Sequence, residues 1–382
     1  MDVAIAGARI FDGEAMLDGC AVVIGDGRVA AVVPTGQIPA GTEVRPVEGL
    51  LAPGFVDVQV NGGGGVLFND ERSVEGIRAI GAAHRRFGTT GFMPTFITDR
   101  RERMEEAVAA VREGLEAGVP GLLGIHLEGP FINPERKGVH DPAYMRPIEA
   151  ADIRIMTSLA ALPGARTLAT LAPEMVPARA IRALTEAGVI VAAGHTKADP
   201  ACLDEARRCG LTGYTHLFNA MPPLASREPG PVGAALDERE TFCGLIADLH
   251  HVSALSLRVA VAAKGAEHMM LVTDAMPSVG SNLASFDLLG STVFRENGRL
   301  TTADGTLAGS DLDMASAVRN AVRFLRLDLP TALKMASLVP AKFLRLDDQL
   351  GRIAPGCRAS FVLLDRELQV RATWIDGMEQ TL

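Results

Sequence analysis

Residues 55–61 read Phe55-Val56-Asp57-Val58-Gln59-Val60-Asn61. Apolar and polar side chains alternate, and alternate residues of a strand share a face, so Gln59 and Asn61 project together. Seven further strand candidates follow: Gly91–Phe96, Leu122–Leu127, Leu168–Ala172, Val189–Ala193, Gly213–His216, Gly244–Asp248 and Met269–Thr273. Helical patterns follow most of them, among them Arg101–Glu116, Pro177–Ala187, Pro200–Cys209 and Ser253–Lys264. The clearest is Asp311–Leu327, where Leu312, Ala315, Val318, Val322 and Leu325 recur at helical spacing and Ser310 with Asp313 suggests a capping box. Eight β/α units between residues 53 and 344 predict an α/β fold of the (β/α)8 barrel type, with an open doubly wound sheet as the alternative.

Outward from that middle, both chain ends change character. Residues 1–52 hold short β-rich runs and the turn signal Gly25-Asp26-Gly27. Residues 345–382 look alike, with strand-like Ser360–Leu364 and Val370–Ile375. Termini often lie together in compact proteins. The expectation is one small β-sandwich domain built from 1–52 plus 345–382, beside a catalytic barrel of 53–344.

Composition excludes several classes. An apolar fraction of 48% and a charged fraction of 22% suit a globular chain of 382 residues, not a disordered one. The net charge of −9 comes with no basic block, which disfavours nucleic acid as a partner. No apolar run approaches the roughly 18 residues of a membrane span, and the N-terminus lacks a signal-peptide pattern. Five cysteines without CxxC spacing read as reduced thiols, which points to the cytoplasm. No dinucleotide-binding, phosphate-loop or GxSxG pattern is present.

Barrel enzymes collect their reactive groups at the C-terminal ends of the strands. The first strand ends in Asp57, Gln59 and Asn61, the third in His126 and Glu128, the fifth in His195, the sixth in His216, the eighth in Asp274. Any one of these histidines alone reads as structural; five polar strand ends meeting at one mouth do not. Glu128, His195 and His216 make a three-ligand set for one divalent metal with an open position for water. Asp274 suits a base beside it, with a metal ligand or a helix N-cap as its other readings.

The ordered strings Ala52-Pro-Gly-Phe-Val-Asp57-Val-Gln59-Val-Asn61-Gly, His126-Leu-Glu128-Gly-Pro-Phe, Gly194-His195-Thr, Thr215-His216-Leu-Phe-Asn219-Ala-Met and Leu307-Ala-Gly-Ser310 resemble those of the N-acetylglucosamine-6-phosphate deacetylases, within the amidohydrolase superfamily. The resemblance spans essentially the whole chain. It implies hydrolysis of the acetamide of N-acetylglucosamine 6-phosphate, or of a related N-acyl substrate such as the galactosamine isomer. It implies one metal, Zn2+ or Fe2+ or another divalent ion, on Glu128, His195 and His216, with Asp274 as acid and base. It further implies that Val139 and His140 touch the substrate, His140 near the acetamido group. Asn219 and Ala220 contact the sugar phosphate, Arg227 and His251 hold its phosphate, and Leu307, Ala308 and Gly309 close over it. A homodimer is implied too, with Arg227 reaching the partner's site. In the wider superfamily the positions of Gln59 and Asn61 commonly carry histidines that bind a second metal. Amides there leave a second metal in doubt and suggest roles around the first. His126 is expected to be structural. A non-catalytic scaffold on the same fold is disfavoured, because ligand set and base are all retained.

Overall fold

In the computed structural model, which describes residues 2–380, the middle of the chain forms eight parallel strands in sequential order. They are β1 (Phe55–Val60), β2 (Thr89–Ile97), β3 (Gly124–Glu128), β4 (Arg166–Leu171), β5 (Ile190–Ala193), β6 (Gly213–Tyr214), β7 (Phe242–Ile246) and β8 (Met269–Val272). The first and last strands meet through Asp274 N donating to Gln59 O at 3.0 Å and Asn61 N donating to Ala275 O at 2.9 Å. That seam makes the sheet a barrel and disposes of the open-sheet alternative. Every residue of β1 and β3 is buried, as strands covered on both faces require.

All eight expected strands are present, and the later ones stop short of their expected ends. β6 ends at Tyr214 rather than His216, and β8 at Val272 rather than Thr273. The physical reason is the backbone. His195, His216 and Asp274 adopt φ of 49°, 30° and 54°. This left-handed region costs non-glycine residues about 1–3 kcal/mol each. The chain turns off the strand axis where these side chains must point into the mouth.

The helix expected at 311–327 runs Met314–Arg323, and its start differs from the sequence reading. Asp313 is the N-cap, its Oδ1 accepting from Ser316 N at 2.7 Å. The capping box with Ser310 does not form. The Ser310 hydroxyl donates to Thr273 O just past β8, so barrel closure claims it first.

The ends of the chain meet as expected. Val3–Ala6, Cys20–Gly25, Arg28–Pro34 and Glu43–Pro46 form a four-stranded sheet. A six-stranded sheet joins the two termini, with Phe361–Leu364 antiparallel to Leu50–Pro53 in the register Val362 to Ala52. Ile5 and Val22 of the first sheet pack on Ile10, Leu51, Phe361 and Trp374 of the second, which is a sandwich core.

A further sheet was not anticipated. After β8 the strands Ser285–Leu288, Ser291–Glu296 and Arg299–Thr302 form an antiparallel meander over the barrel mouth. Its inner face, Leu288, Val293 and Leu300, packs on Met276 and Ala308. The signal for it was Asn297-Gly298, a two-residue hairpin turn between β-branched runs.

Candidate active site

Three side chains converge where β3, β5 and β6 end. Glu128 Oε1 lies 3.1 Å from His195 Nε2 and 2.9 Å from His216 Nε2, and the two nitrogens are 3.1 Å apart. This is the one group of three or more potential metal ligands among the described residues, and all three members are buried. His195 Nδ1 lies 2.7 Å from the carbonyl oxygen of Arg136, which can only accept, so Nδ1 carries the proton. In a neutral ring the lone pair of Nε2 then faces the carboxylate and the second imidazole. With the His216 lone pair likewise on Nε2, three electron-rich atoms meet that repel one another unless a cation lies between them, and two nitrogens with one carboxylate oxygen suit a divalent metal. Burial raises the Glu128 carboxyl, but where protons on the two histidines stand in for a cation, their hydrogen bonds and charge outweigh it and hold the group well below its ordinary range.

Asp274 stands beside this group. Asn61 Nδ2 donates to its Oδ1 at 2.7 Å, and Gln59 Nε2 donates to the same oxygen at 3.0 Å. The Gln59 amide also reaches Glu128 Oε2 at 3.3 Å, so one side chain spans both carboxylates. The two amides of β1 thus face carboxylates as donors. Burial, and then the nearby charge of Glu128, push the Asp274 carboxyl up to about 6. Asp274 does not cap a helix; Ala275 and the meander follow it.

Two further histidines are buried here in neutral form. His126 sits below the ligands, between Thr95 Oγ1 at 3.2 Å and Thr170 Oγ1 at 2.7 Å, and burial pushes it down to about 4. Its ring nitrogens face threonines, the structural placement expected of it. His140 lies over His195, ring centroids 4.4 Å apart, with Nδ1 at 2.7 Å from Thr98 Oγ1. Burial pushes it down to about 3.

A cavity of about 370 Å³ opens above this floor. Val139 and His140 line one part of it, Asn219, Ala220 and His251 another, and Leu307 and Gly309 come from the segment after the meander. His251 is held by Asp248, Nδ1 to Oδ2 at 2.6 Å. Ala308 and Arg227 are not among the residues that line it; for Arg227 the expected place was the partner's site. Ala308 is fully buried in the meander core, its N donating to Leu300 O at 3.2 Å. Arg227 is exposed in a turn closed by Ala225 N donating to Glu228 O at 3.3 Å, and it does not line the cavity. Sequence reasoning missed Arg299 of the meander, which does line it.

The sequence profile described as the amidohydrolase family matches residues 50–379, and that of the NagA composite domain matches residues 3–51. The chain belongs to the amidohydrolase family. Among its relatives is the N-acetylgalactosamine-6-phosphate deacetylase of Shewanella sp. (strain ANA-3), 42% identical over 97% of this chain and 94% of that one. The N-acetylglucosamine-6-phosphate deacetylase of Haemophilus influenzae is 34% identical over 99% of both. The crystal structure of N-acetylglucosamine-6-phosphate deacetylase from Pasteurella multocida superposes with a TM-score of 0.94 at 33% identity, covering 100% of each chain. Among the described residues no helix is long and apolar enough to cross a membrane.

The donor geometry of this amidohydrolase predicts one tightly bound divalent ion per chain. Elemental analysis of gently prepared protein should give about one equivalent, and His216→Ala, which removes one of three donors, should lose most of it. Two firm equivalents, with Gln59 or Asn61 in the coordination sphere, contradict this reading.

Proposed function

We propose that the chain hydrolyses the acetamide of N-acetyl-D-glucosamine 6-phosphate, releasing acetate and D-glucosamine 6-phosphate, in amino-sugar catabolism or the recycling of cell-wall sugars. The observation that carries this reading is a buried carboxylate, Asp274, held by Gln59 and Asn61 beside the Glu128–His195–His216 donor set. Relatives named as deacetylases of N-acetylhexosamine 6-phosphates over nearly the whole chain supply the substrate class.

A divalent cation on Glu128, His195 and His216, Zn2+ in this reading with Fe2+ or another divalent ion fitting the same donors, supplies Lewis acidity and makes water acidic at neutral pH. The chain's own groups do the rest. His140, kept neutral by burial, presents an imidazole edge to the acetyl carbonyl and helps stabilise negative charge on its oxygen. Asp274 takes a proton from the attacking water. A carboxyl holds a proton less tightly than an amine does, so Asp274 can return that proton to the leaving nitrogen. Asn219, Ala220 and His251 receive the sugar phosphate, and Leu307 and Gly309 cover it.

One observation favours a second reading. The relative at 42% identity is named for N-acetylgalactosamine 6-phosphate, the C4 epimer. Acetate release from the two 6-phosphates decides between them. The first reading expects kcat/KM at least about 10-fold higher for the glucosamine series, a margin that one misplaced hydroxyl readily produces; the reverse ranking favours the second. Asp274→Asn should lower kcat by about 10²- to 10⁴-fold with metal content unchanged. Retention of a large fraction of turnover would remove Asp274 from the proton path.

The proposal includes a cytoplasmic homodimer in which Arg227 meets the phosphate in the partner's site. Its exposed, proline-flanked turn lies outside its own cavity, which supports projection toward a neighbour. Mixing Arg227→Ala with Asp274→Asn chains then regenerates one intact site per hybrid, and activity rises above either parent. Hybrids that form without a rise place Arg227 in cis.

A further inference from the structure

We infer that Arg299 is a phosphate-reading cation that each chain supplies to its own active site; the inference rests on the phosphorylated-sugar reading above. Among the residues lining the cavity, Arg299 is the sole arginine or lysine. The same cavity contains the carboxylates of Glu128 and Asp274, and the chain as a whole carries a net charge of −9. A phosphate dianion entering such a field needs positive charge at the end remote from the metal donors.

The local fold aims Arg299 at that task. Asn297 and Gly298, with φ of 51° and 75°, form a two-residue turn that sets the register Glu296 to Arg299 and Arg295 to Leu300. Leu300 is buried in the meander core, whereas its neighbour Arg299 is exposed and lines the cavity. The tip of this hairpin lies against the loop that carries His251: a Cβ on Gly298 would stand 4.0 Å from His250 Nε2. Arg299 therefore comes in on the His251 side of the mouth. It travels with the covering segment, because Ala308 N donates to Leu300 O at 3.2 Å and Thr301 bridges to Leu307.

The guanidinium is also free to bind. Arg295, on the same hairpin, is committed to Asp311 at 2.7 Å and to Ser281 O at 3.1 Å. Arg299 is exposed and enters no ion pair or side-chain hydrogen bond among the described residues. A fork of N–H donors at this position can take two phosphate oxygens at once, which an ammonium cannot do in the same geometry.

The test uses metal-loaded enzyme and six rates: wild type, Arg299→Ala and Arg299→Lys, each on the N-acetylhexosamine 6-phosphate and on the unphosphorylated sugar. Arg299→Ala should lower kcat/KM on the phosphorylated sugar about 10- to 100-fold, as loss of a charge-assisted hydrogen bond does, mainly through KM. The ratio of phosphorylated to unphosphorylated kcat/KM should fall with it, and Arg299→Lys should restore part of the ratio. A ratio unchanged within about 2-fold in Arg299→Ala overturns the inference. A wild-type enzyme that does not favour the phosphorylated sugar overturns the substrate reading itself, whatever the variants do.

Discussion

Everything at the mouth of this barrel follows from three lone pairs aimed at one point. Glu128, His195 and His216 bring a carboxylate oxygen and two imidazole nitrogens within about 3 Å of one another, each with a lone pair to offer a cation when the rings are unprotonated at Nε2. Such a cluster is costly to bury in the absence of a cation and strongly favourable in its presence. The backbone is shaped to keep it. His195 and His216 are held in left-handed conformations just past their strands, and the Arg136 carbonyl fixes the His195 tautomer.

Asp274 is kept near this cluster but apart from it. The amides of Gln59 and Asn61 occupy one of its oxygens, and they can neutralise no charge, so the carboxyl stays buried, ionisable and basic. Beneath it, Asp57 accepts from the Thr273 hydroxyl, and burial pushes its carboxyl up to about 7. That contact ties β1 to the exit of β8, next to the seam that closes the barrel. Barrel closure and the placing of Asp274 are therefore one set of interactions, which explains why Ser310 serves Thr273 and not the helix that follows.

The periodicity of the middle of the chain contained the barrel. Eight β-rich runs with intervening helical stretches were enough, and the polar strand ends marked the mouth. Glu128, His195, His216 and Asp274 were legible because a strand end that carries a charged group among buried residues has few structural uses. Strand ends were not legible, since positive φ at His195, His216 and Asp274 reflects the site's demand on the backbone and leaves no local trace in sequence. The meander went unread because its strands are short and half-exposed, and a helix was the expected next element. With it went Arg299, whose place at the cavity follows from the fold of the meander over the mouth. Arg227 marks the opposite limit: its motif was visible, but its place relative to a cavity depends on tertiary structure.

X-ray absorption at the metal edge, on protein loaded with one equivalent of zinc, tests the central claim most directly. The account predicts two imidazole nitrogens and one protein carboxylate oxygen around the metal, with solvent completing the sphere, and the same spectrum for Asp274→Asn. A ligand lost in that variant would make Asp274 part of the metal site and contradict its role as a free acid and base.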